Sequence, residues 1–411
     1  MWCTVADPAR RRGATEDVVE RHRPALAAFL AGHGDELVGF RRRLHAHPEL
    51  AGGETETTEA VCERLQLAGL RPEPLAVGTG LTCDVGASNG PVVMLRADLD
   101  ALGMPDGKDV SYRSRVPGRA HACGHDVHTA IVLGAGLVLA QLLPDTGGRV
   151  RLVFEPGEEA VPGGAVDVIA EGRLDGVSAA FGLHCEPKLD VGVIGVRPGP
   201  LTAAADLIEL TLTGPGGHTA RPELTVDLVA VAAELVLQVP SLVATRSGGD
   251  VLIVFGAVRG GDAANVIPSQ VTIRGTLRTH DRAVWGRAEQ LLRDAVATVA
   301  DPLGAGWELA YRTGVPPVVN DEAATQLVAE VGRAVLGHDG VVEAPRSRGG
   351  DSFAWYLDHV PGSYVRLGVH DPASGRSRGD LHASTFDVDE RAIGYGVQVL
   401  ALTALAALTG P

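Results

Sequence analysis

Residues 121–128 read His121-Ala-Cys-Gly-His-Asp-Val-His128, which puts a thiol, three imidazoles and a carboxylate into one short segment. Only Gly124 separates Cys123 from His125, so a turn can aim both side chains at one point. A thiolate beside an imidazole suits a borderline-soft divalent ion such as zinc. Further ligand types follow downstream. Glu158 and Glu159 come just after the apolar run 150–154, His184 closes another such run, and His382 stands in Asp380-Leu-His382 near the carboxyl end. Taken singly, a charge doublet is a solvated surface feature and a His at the end of a strand is structural. Together, Cys123, His125, Glu159, His184 and His382 make five candidate ligands. One zinc takes three or four protein ligands, so five suit a two-metal site in which a thiolate or carboxylate bridges the ions. Asp98, in Arg96-Ala-Asp-Leu-Asp100, stands where it could orient a ligand imidazole or cap a strand end. His45 and His47, with Arg41–Arg43, read as helix-end and packing residues.

The elements that must position these groups follow from hydrophobic patterning. Strands are expected over 81–85, 92–95, 150–154 and 177–184. They are interleaved with an apolar helix over 128–142 and a helical stretch near 166–171. Such alternation indicates an α/β fold with a mainly parallel sheet, and in open sheets of this kind ligands bind beyond the carboxyl ends of the strands. From residue 206 the pattern becomes strand, helix, two strands, helix, strand, the βαββαβ order of a ferredoxin-like unit. This reads as an insertion, because His382 follows it while the other ligand candidates precede it. The expected organisation is a catalytic domain in two parts, 35–202 and 313–411, interrupted by an inserted domain at 203–312. The Arg- and Ala-rich residues up to about 34 are expected to form a loosely attached leading helix.

Composition narrows the function further. The 411 residues are 45% hydrophobic, and no long uninterrupted apolar span is evident, which argues against a transmembrane helix. The first residues lack the apolar stretch of a signal peptide, so a cytoplasmic location is expected. A formal charge of −15 provides no basic stripe for nucleic acid. Cys3, Cys62, Cys83, Cys123 and Cys185 have no framework spacing, and a reducing compartment suits a metal-bound thiolate. Lys108 and Lys188 are the only lysines. Neither stands in a phosphate loop, and both read as solvated loop residues.

Two rival chemistries are weak. Ser88 and Ser377 fit Gly-x-Ser-x-Gly, but a nucleophile elbow needs a strand before the serine and a helix after it. Ser88 precedes a strand, and Ser377 lies in a Gly/Arg-rich loop. Gly134 and Gly136 fall inside the apolar helix, not at its start, so a dinucleotide fingerprint is a weaker reading still.

Ordered motifs along most of the chain carry a resemblance. They include Arg43-Leu-His-Ala-His-Pro-Glu-Leu50, Leu95-Arg-Ala-Asp-Leu-Asp-Ala-Leu102, the 121–128 segment, Glu158-Glu159, Gly182-Leu-His184, Gly216-Gly-His218, Asn265-Val-Ile-Pro268, Gly275-Thr-Leu-Arg278, Gly349-Gly-Asp351 and Leu381-His382. With these, the chain resembles the amidohydrolases that comprise hippurate hydrolases, N-acyl-L-amino-acid hydrolases and auxin-conjugate hydrolases, within the clan of two-metal aminoacylases and carboxypeptidases. The resemblance implies two divalent ions (zinc, manganese, cobalt or nickel) on Cys123, His125, Glu159, His184 and His382, with Glu158 as general base. It also implies that the insertion is a lid or dimerisation domain, in a homodimer or higher homo-oligomer. In that domain the matching His218 helps hold the scissile carbonyl, often across a dimer interface, and Asn265 and Arg278 are candidates for gripping a substrate carboxylate, Arg offering a bidentate fork. The expected reaction is hydrolysis of a small N-acyl amino acid. A dipeptidase or carboxypeptidase using the same site is the nearest alternative, and a non-catalytic metal-dependent binding protein the more distant one. Glu158 argues against the last, since a purely structural site needs no base. Gly103-Met-Pro105, Cys185 and Ser352 depart from the family pattern and bear on substrate preference.

Overall fold

A strand buried on both faces needs a continuous apolar run. Val92–Leu95 supplies such a run at the start of Val92–Asp98, every residue of which is buried, and in Gly362–His370 only the last residue is partly exposed. In the computed structural model, which describes residues 8–87, 89–143, 147–375 and 377–409, both strands lie within an eight-stranded sheet. Its order is Pro72–Pro74, Leu81–Gly86, Arg149–Glu155, Val92–Asp98, Val177–Asp190, Gly362–His370, Ile194–Val196, Val341–Glu343. The four central strands run parallel, and antiparallel pairing is confined to the flanks. The α/β class and mainly parallel sheet expected from sequence are present. Gly362–His370, with Pro72–Pro74, Ile194–Val196 and Val341–Glu343, was not anticipated. Ser88 and Cys3 lie outside the described residues.

The described chain divides into two compact units. The first contains the eight-stranded sheet and comprises the described residues up to Gly199, Val319–Pro345 and those from Trp355 onward. Its leading helix is not loosely attached. Pro8–Ala46 is one helix of 39 residues, and Val18, Val19, Leu26 and Phe29 are buried in the unit's core. Patterning understates this helix because its apolar positions are sparse among Arg and Ala. The helix His125–Leu142 begins three residues earlier than expected and is buried along nearly its whole length. Three helices, His125–Leu142, Leu228–Ser247 and Arg391–Thr409, are in fact long and apolar enough to cross a membrane by length and composition. The first and last spend that apolarity on the core.

The second unit, Pro200–Val318 with Arg346–Ala354, contains a four-stranded antiparallel sheet in the order Leu252–Arg259, Gln270–Arg278, Ala205–Thr213, Gly306–Val315. The first strand in sequence lies inside and the last at an edge, which is ferredoxin-like order. Leu228–Ser247 runs through Pro240 to a left-handed Gly248 with φ 89°, the usual C-terminal stop. The second helix of the βαββαβ order is broken into Arg282–Trp285 and Ala288–Ala300.

Gly134 and Gly136 lie within the helix His125–Leu142 and permit close packing. A Cβ on Gly136 would lie 2.2 Å from Leu152 Cδ1, and one on Gly134 would lie 2.7 Å from Leu37 Cδ1. Gly136→Ala is therefore expected to destabilise the protein by about 1–3 kcal/mol through overpacking, despite the better helix propensity of Ala. Urea denaturation measures this, and a neutral or stabilising result would show that Leu152 can yield.

Candidate metal centre

The turn that delivers Cys123 and His125 depends on Gly124. Its φ is 90°, and a Cβ there would stand 2.8 Å from Cys185 Sγ. Gly124 caps the helix, so His125 and His128 occupy its first turn, with ring centroids 5.5 Å apart. His184 lies within a 14-residue strand that continues past the expected end, because Gly362–His370 goes on pairing with it through Arg366↔His184 to His370↔Asp190. His184 Nδ1 lies 2.7 Å from the Cys185 carbonyl oxygen and can only donate to it, which leaves Nε2 as a lone pair 3.3 Å from Cys123 Sγ. His125 is held in the same way: Nδ1 faces Asp100 Oδ1 at 3.2 Å, and the buried Nε2 makes no hydrogen bond.

Asp100 is the residue that sequence reading missed. Its Oδ1 also accepts the Glu158 N–H at 3.1 Å, and its Oδ2 accepts the Glu159 N–H at 2.9 Å. One carboxylate thus sets the ligand imidazole and the backbone of the Glu-Glu pair. The sequence signal was available in the second acid of Asp98-Leu-Asp100. Asp98 instead orients His128, its Oδ1 lying 2.6 Å from His128 Nδ1, while His128 Nε2 accepts the Cys185 N–H at 2.9 Å. Arg96, two residues back on the same strand face, holds Asp98 Oδ2 at 2.6 Å. Burial alone would raise the Asp98 pKa, but His125, His128 and Arg96 outweigh it and keep the carboxyl well below its ordinary value.

His382 arrives from the far end of the chain. Its N–H donates to the Ala122 carbonyl at 2.8 Å, one residue before Cys123. With φ 59° it is the only non-glycine residue at positive φ among the described residues, a strained conformation that tends to mark functional positions. Its Nε2 lies 3.2 Å from Glu159 Oε1, a buried oxygen that makes no hydrogen bond.

The ligand atoms converge. Cys123, His125 and His184 form one group within 4.8 Å, and Cys123, Glu159 and His382 form another. His125, Glu158 and Glu159 form a third, and Asp98, His125 and His128 a fourth. Burial pushes the Cys123 thiol and lowers the His184 imidazole, the first above and the second well below its ordinary pKa. The cluster therefore presents a neutral His184 imidazole with its lone pair turned outward, beside a thiol whose ionisation needs a nearby cation, while burial works against the charge on His125 but Asp98 and Cys123 outweigh it and raise that imidazole well above its ordinary pKa. That donor set fits divalent metal.

Other residues fall outside this cluster. Arg41 and His45 are fully buried and hold Asp126 Oδ2 at 2.6 and 2.7 Å, tying the leading helix to the residue after His125. Lys108 is not solvated: it is 6% exposed and paired with Asp106 at 3.0 Å, the carboxylate that also bonds His45 Nε2. Ser377 is followed by irregular chain, so no nucleophile elbow forms there. In the second unit, His218 is exposed in Gly217–His218, which pairs with Val266–Ile267, and the Asn265 carbonyl accepts the Thr219 N–H. Arg278 lies at the opposite end of Gln270–Arg278, on the order of 25 Å away at strand rise, and donates to the Arg348 carbonyl at 2.7 Å.

The model of peptidase family M20/M25/M40 matches residues 94–406. A putative glutamate–cysteine ligase from Rhodococcus jostii is 46% identical over 91% of this chain, which spans only 47% of that protein, about half its length. N-acetyl-L-cysteine deacetylase from Bacillus subtilis is 36% identical, covering 87% of this chain and 85% of that protein. Among solved structures, the Bacillus subtilis YXEP protein, a dinuclear metal-binding peptidase from the M20 family, superposes with a TM-score of 0.80 at 32% identity, over 94% of this chain and all of that one.

Asp100→Ala should free the His125 ring and the Glu158-Glu159 backbone together, and is expected to lower metal affinity about 10- to 100-fold. Equilibrium dialysis against a metal buffer measures this. Unchanged affinity would show that the ligands hold their positions without Asp100.

Proposed function

The chain belongs to peptidase family M20/M25/M40 and is a metal-dependent amidohydrolase; from that premise we propose that it hydrolyses N-acyl amino acids to a carboxylic acid and a free amino acid. The observation that carries this reading is the sharing of Cys123 between two ligand groups, with Glu158 beside both His125 and Glu159. Cys123, His125, Glu159, His184 and His382 would hold two divalent ions (zinc, manganese, cobalt or nickel), which supply Lewis acidity toward water and the scissile carbonyl when bound. Glu158 would accept the proton from the attacking water and return it to the leaving nitrogen. His128, oriented by Asp98, keeps the Cys185 backbone fixed behind the site. The likeness to a protein named N-acetyl-L-cysteine deacetylase favours an acyl amino acid over a dipeptide and makes N-acetylcysteine the first substrate to try. A cytoplasmic, reducing setting would preserve the Cys123 thiol.

The second unit is proposed to complete the site as a lid in a homodimer. Its helix Leu228–Ser247 exposes Val229 and Leu237, and its edge strand Leu252–Arg259 exposes Val254 and Val258. An open strand edge beside an apolar helix face is suited to two-fold pairing. The separation of Asn265 and His218 from Arg278 supports the same reading, since two copies could present both ends of the unit to one substrate.

Glu158→Gln should lower hydrolysis of N-acetylcysteine or N-acetylmethionine by about 10²–10⁴-fold while metal content is retained, whereas Glu159→Gln should lose metal. A metal-depleted Glu158 variant would reverse the two roles, and full turnover by verified metal-free protein would sink the mechanism. For the dimer, mixing inactive Glu158→Gln and His218→Ala proteins should restore part of the activity. Demonstrated subunit exchange without recovery would place His218 in its own chain's site.

A further inference from the structure

Three arginines lie largely buried along the core of the sheet-bearing unit, and they are not alike. Arg41 is fully buried and bonds Asp126 and Glu390; Arg96 is 1% exposed and bonds Glu155 and Asp98. Those two are paired, as buried charges must be. Arg366 is 7% exposed, yet it makes no hydrogen bond or ion pair among the described residues. The aromatic ring over which its guanidinium lies is that of Tyr364, 6.0 Å from the guanidinium carbon, the outer limit of a cation–π contact. The residual exposure includes the guanidinium nitrogens. The charge is therefore mostly withdrawn from water but still reachable from it, which is the condition of a binding group and not of a structural one.

Its position fixes what it faces. Arg366 stands in register with His184 on the adjacent parallel strand, so the two side chains share a face of the sheet. Tyr364, two residues earlier, is on the same face, with its ring edge-on to His184 at 6.3 Å. Arg366 also contributes to the charge felt by His184. Arg278, by contrast, already spends one donor on the Arg348 carbonyl.

We infer that Arg366 binds a carboxylate carried by the substrate, as a charge-assisted anchor beside the metal centre supplied by the sheet-bearing unit itself. The inference rests on the N-acyl amino acid reading above. Two positions on such a substrate could carry the anion, the α-carboxylate of the amino acid or a carboxylate at the far end of the acyl group, and the forked guanidinium suits either.

Binding can be measured without turnover, by calorimetric titration of metal-loaded Glu158→Gln protein with and without Arg366→Met. Three probes separate the cases: N-acetyl-L-methionine carries only the α-carboxylate, N-succinyl-L-methioninamide only the acyl carboxylate, and N-acetyl-L-methioninamide neither. Arg366→Met should weaken one carboxylated probe about 10- to 100-fold and leave the uncharged probe within about twofold, with metal content unchanged; the probe that weakens identifies which carboxylate is read. Arg366→Lys should recover part of the loss. Because an unpaired buried cation is removed, the ligand-free Tm of Arg366→Met should equal or exceed that of its parent. Equal weakening of all three probes, no weakening of either carboxylated probe, failure of both to bind the parent, or a sharply lowered Tm each overturns the proposal. Hydrolysis of N-acyl amino acids by the wild-type protein is assayed separately, so failure of the functional reading shows as absent turnover while these titrations still decide Arg366.

Discussion

The site depends on one carboxylate accepting three hydrogen-bonding partners. Asp100 takes the His125 imidazole on one oxygen with the Glu158 amide, and the Glu159 amide on the other. Its bond to His125 fixes which ring nitrogen carries the proton, and so which lone pair is left for a metal. Its bonds to the two amides fix where the Glu pair leaves the strand Arg149–Glu155. Base and ligand are thereby set relative to one another by backbone, which is stiffer than either glutamate side chain.

Around that joint the unit buries many charged side chains and pairs most of them. Arg96 lies between Asp98 and Glu155, and Arg41 joins His45 in holding Asp126. Such pairs add little net stability, because desolvation offsets much of their attraction, but losing one partner is costly. Their effect is geometric. They lock strand ends and the first turn of a helix in the arrangement that aims Cys123, His125 and His184 at common points. The charge of Arg366, without an ionic partner among the described residues, stands out against this background, since the same unit satisfies Arg96 with two carboxylates and Arg41 with three.

The ferredoxin-like unit follows a different logic. Its core is apolar and self-contained, and its polar candidates are at the margins: His218 and Asn265 at a hairpin, Arg278 at the far end of a strand. The strand Gln270–Arg278 separates those margins by its own length.

The sequence alone determined the chemistry and the fold class. Cys-Gly-His, a Glu doublet and two distant histidines left few alternatives to a divalent metal centre, and strand–helix alternation followed by βαββαβ gave the two architectures. The reason is that ligand type and hydrophobic period are local properties. What required tertiary structure was every relation between distant segments. The buried Gly362–His370 strand has a mixed pattern that patterning does not recognise, and the sparse apolar stripe of Pro8–Ala46 gains its meaning only against the helices it covers. Lys108 reads as solvated until Asp106 is seen beside it. Asp98 and Asp100 are equivalent as letters, and only the placement of Arg96, His128 and the Glu158-Glu159 amides tells which carboxylate serves the ligand histidine. Arg366 is one arginine among many in sequence; that it has no hydrogen-bonding or ionic partner among the described residues, in a buried register position beside His184, is a fact of packing alone.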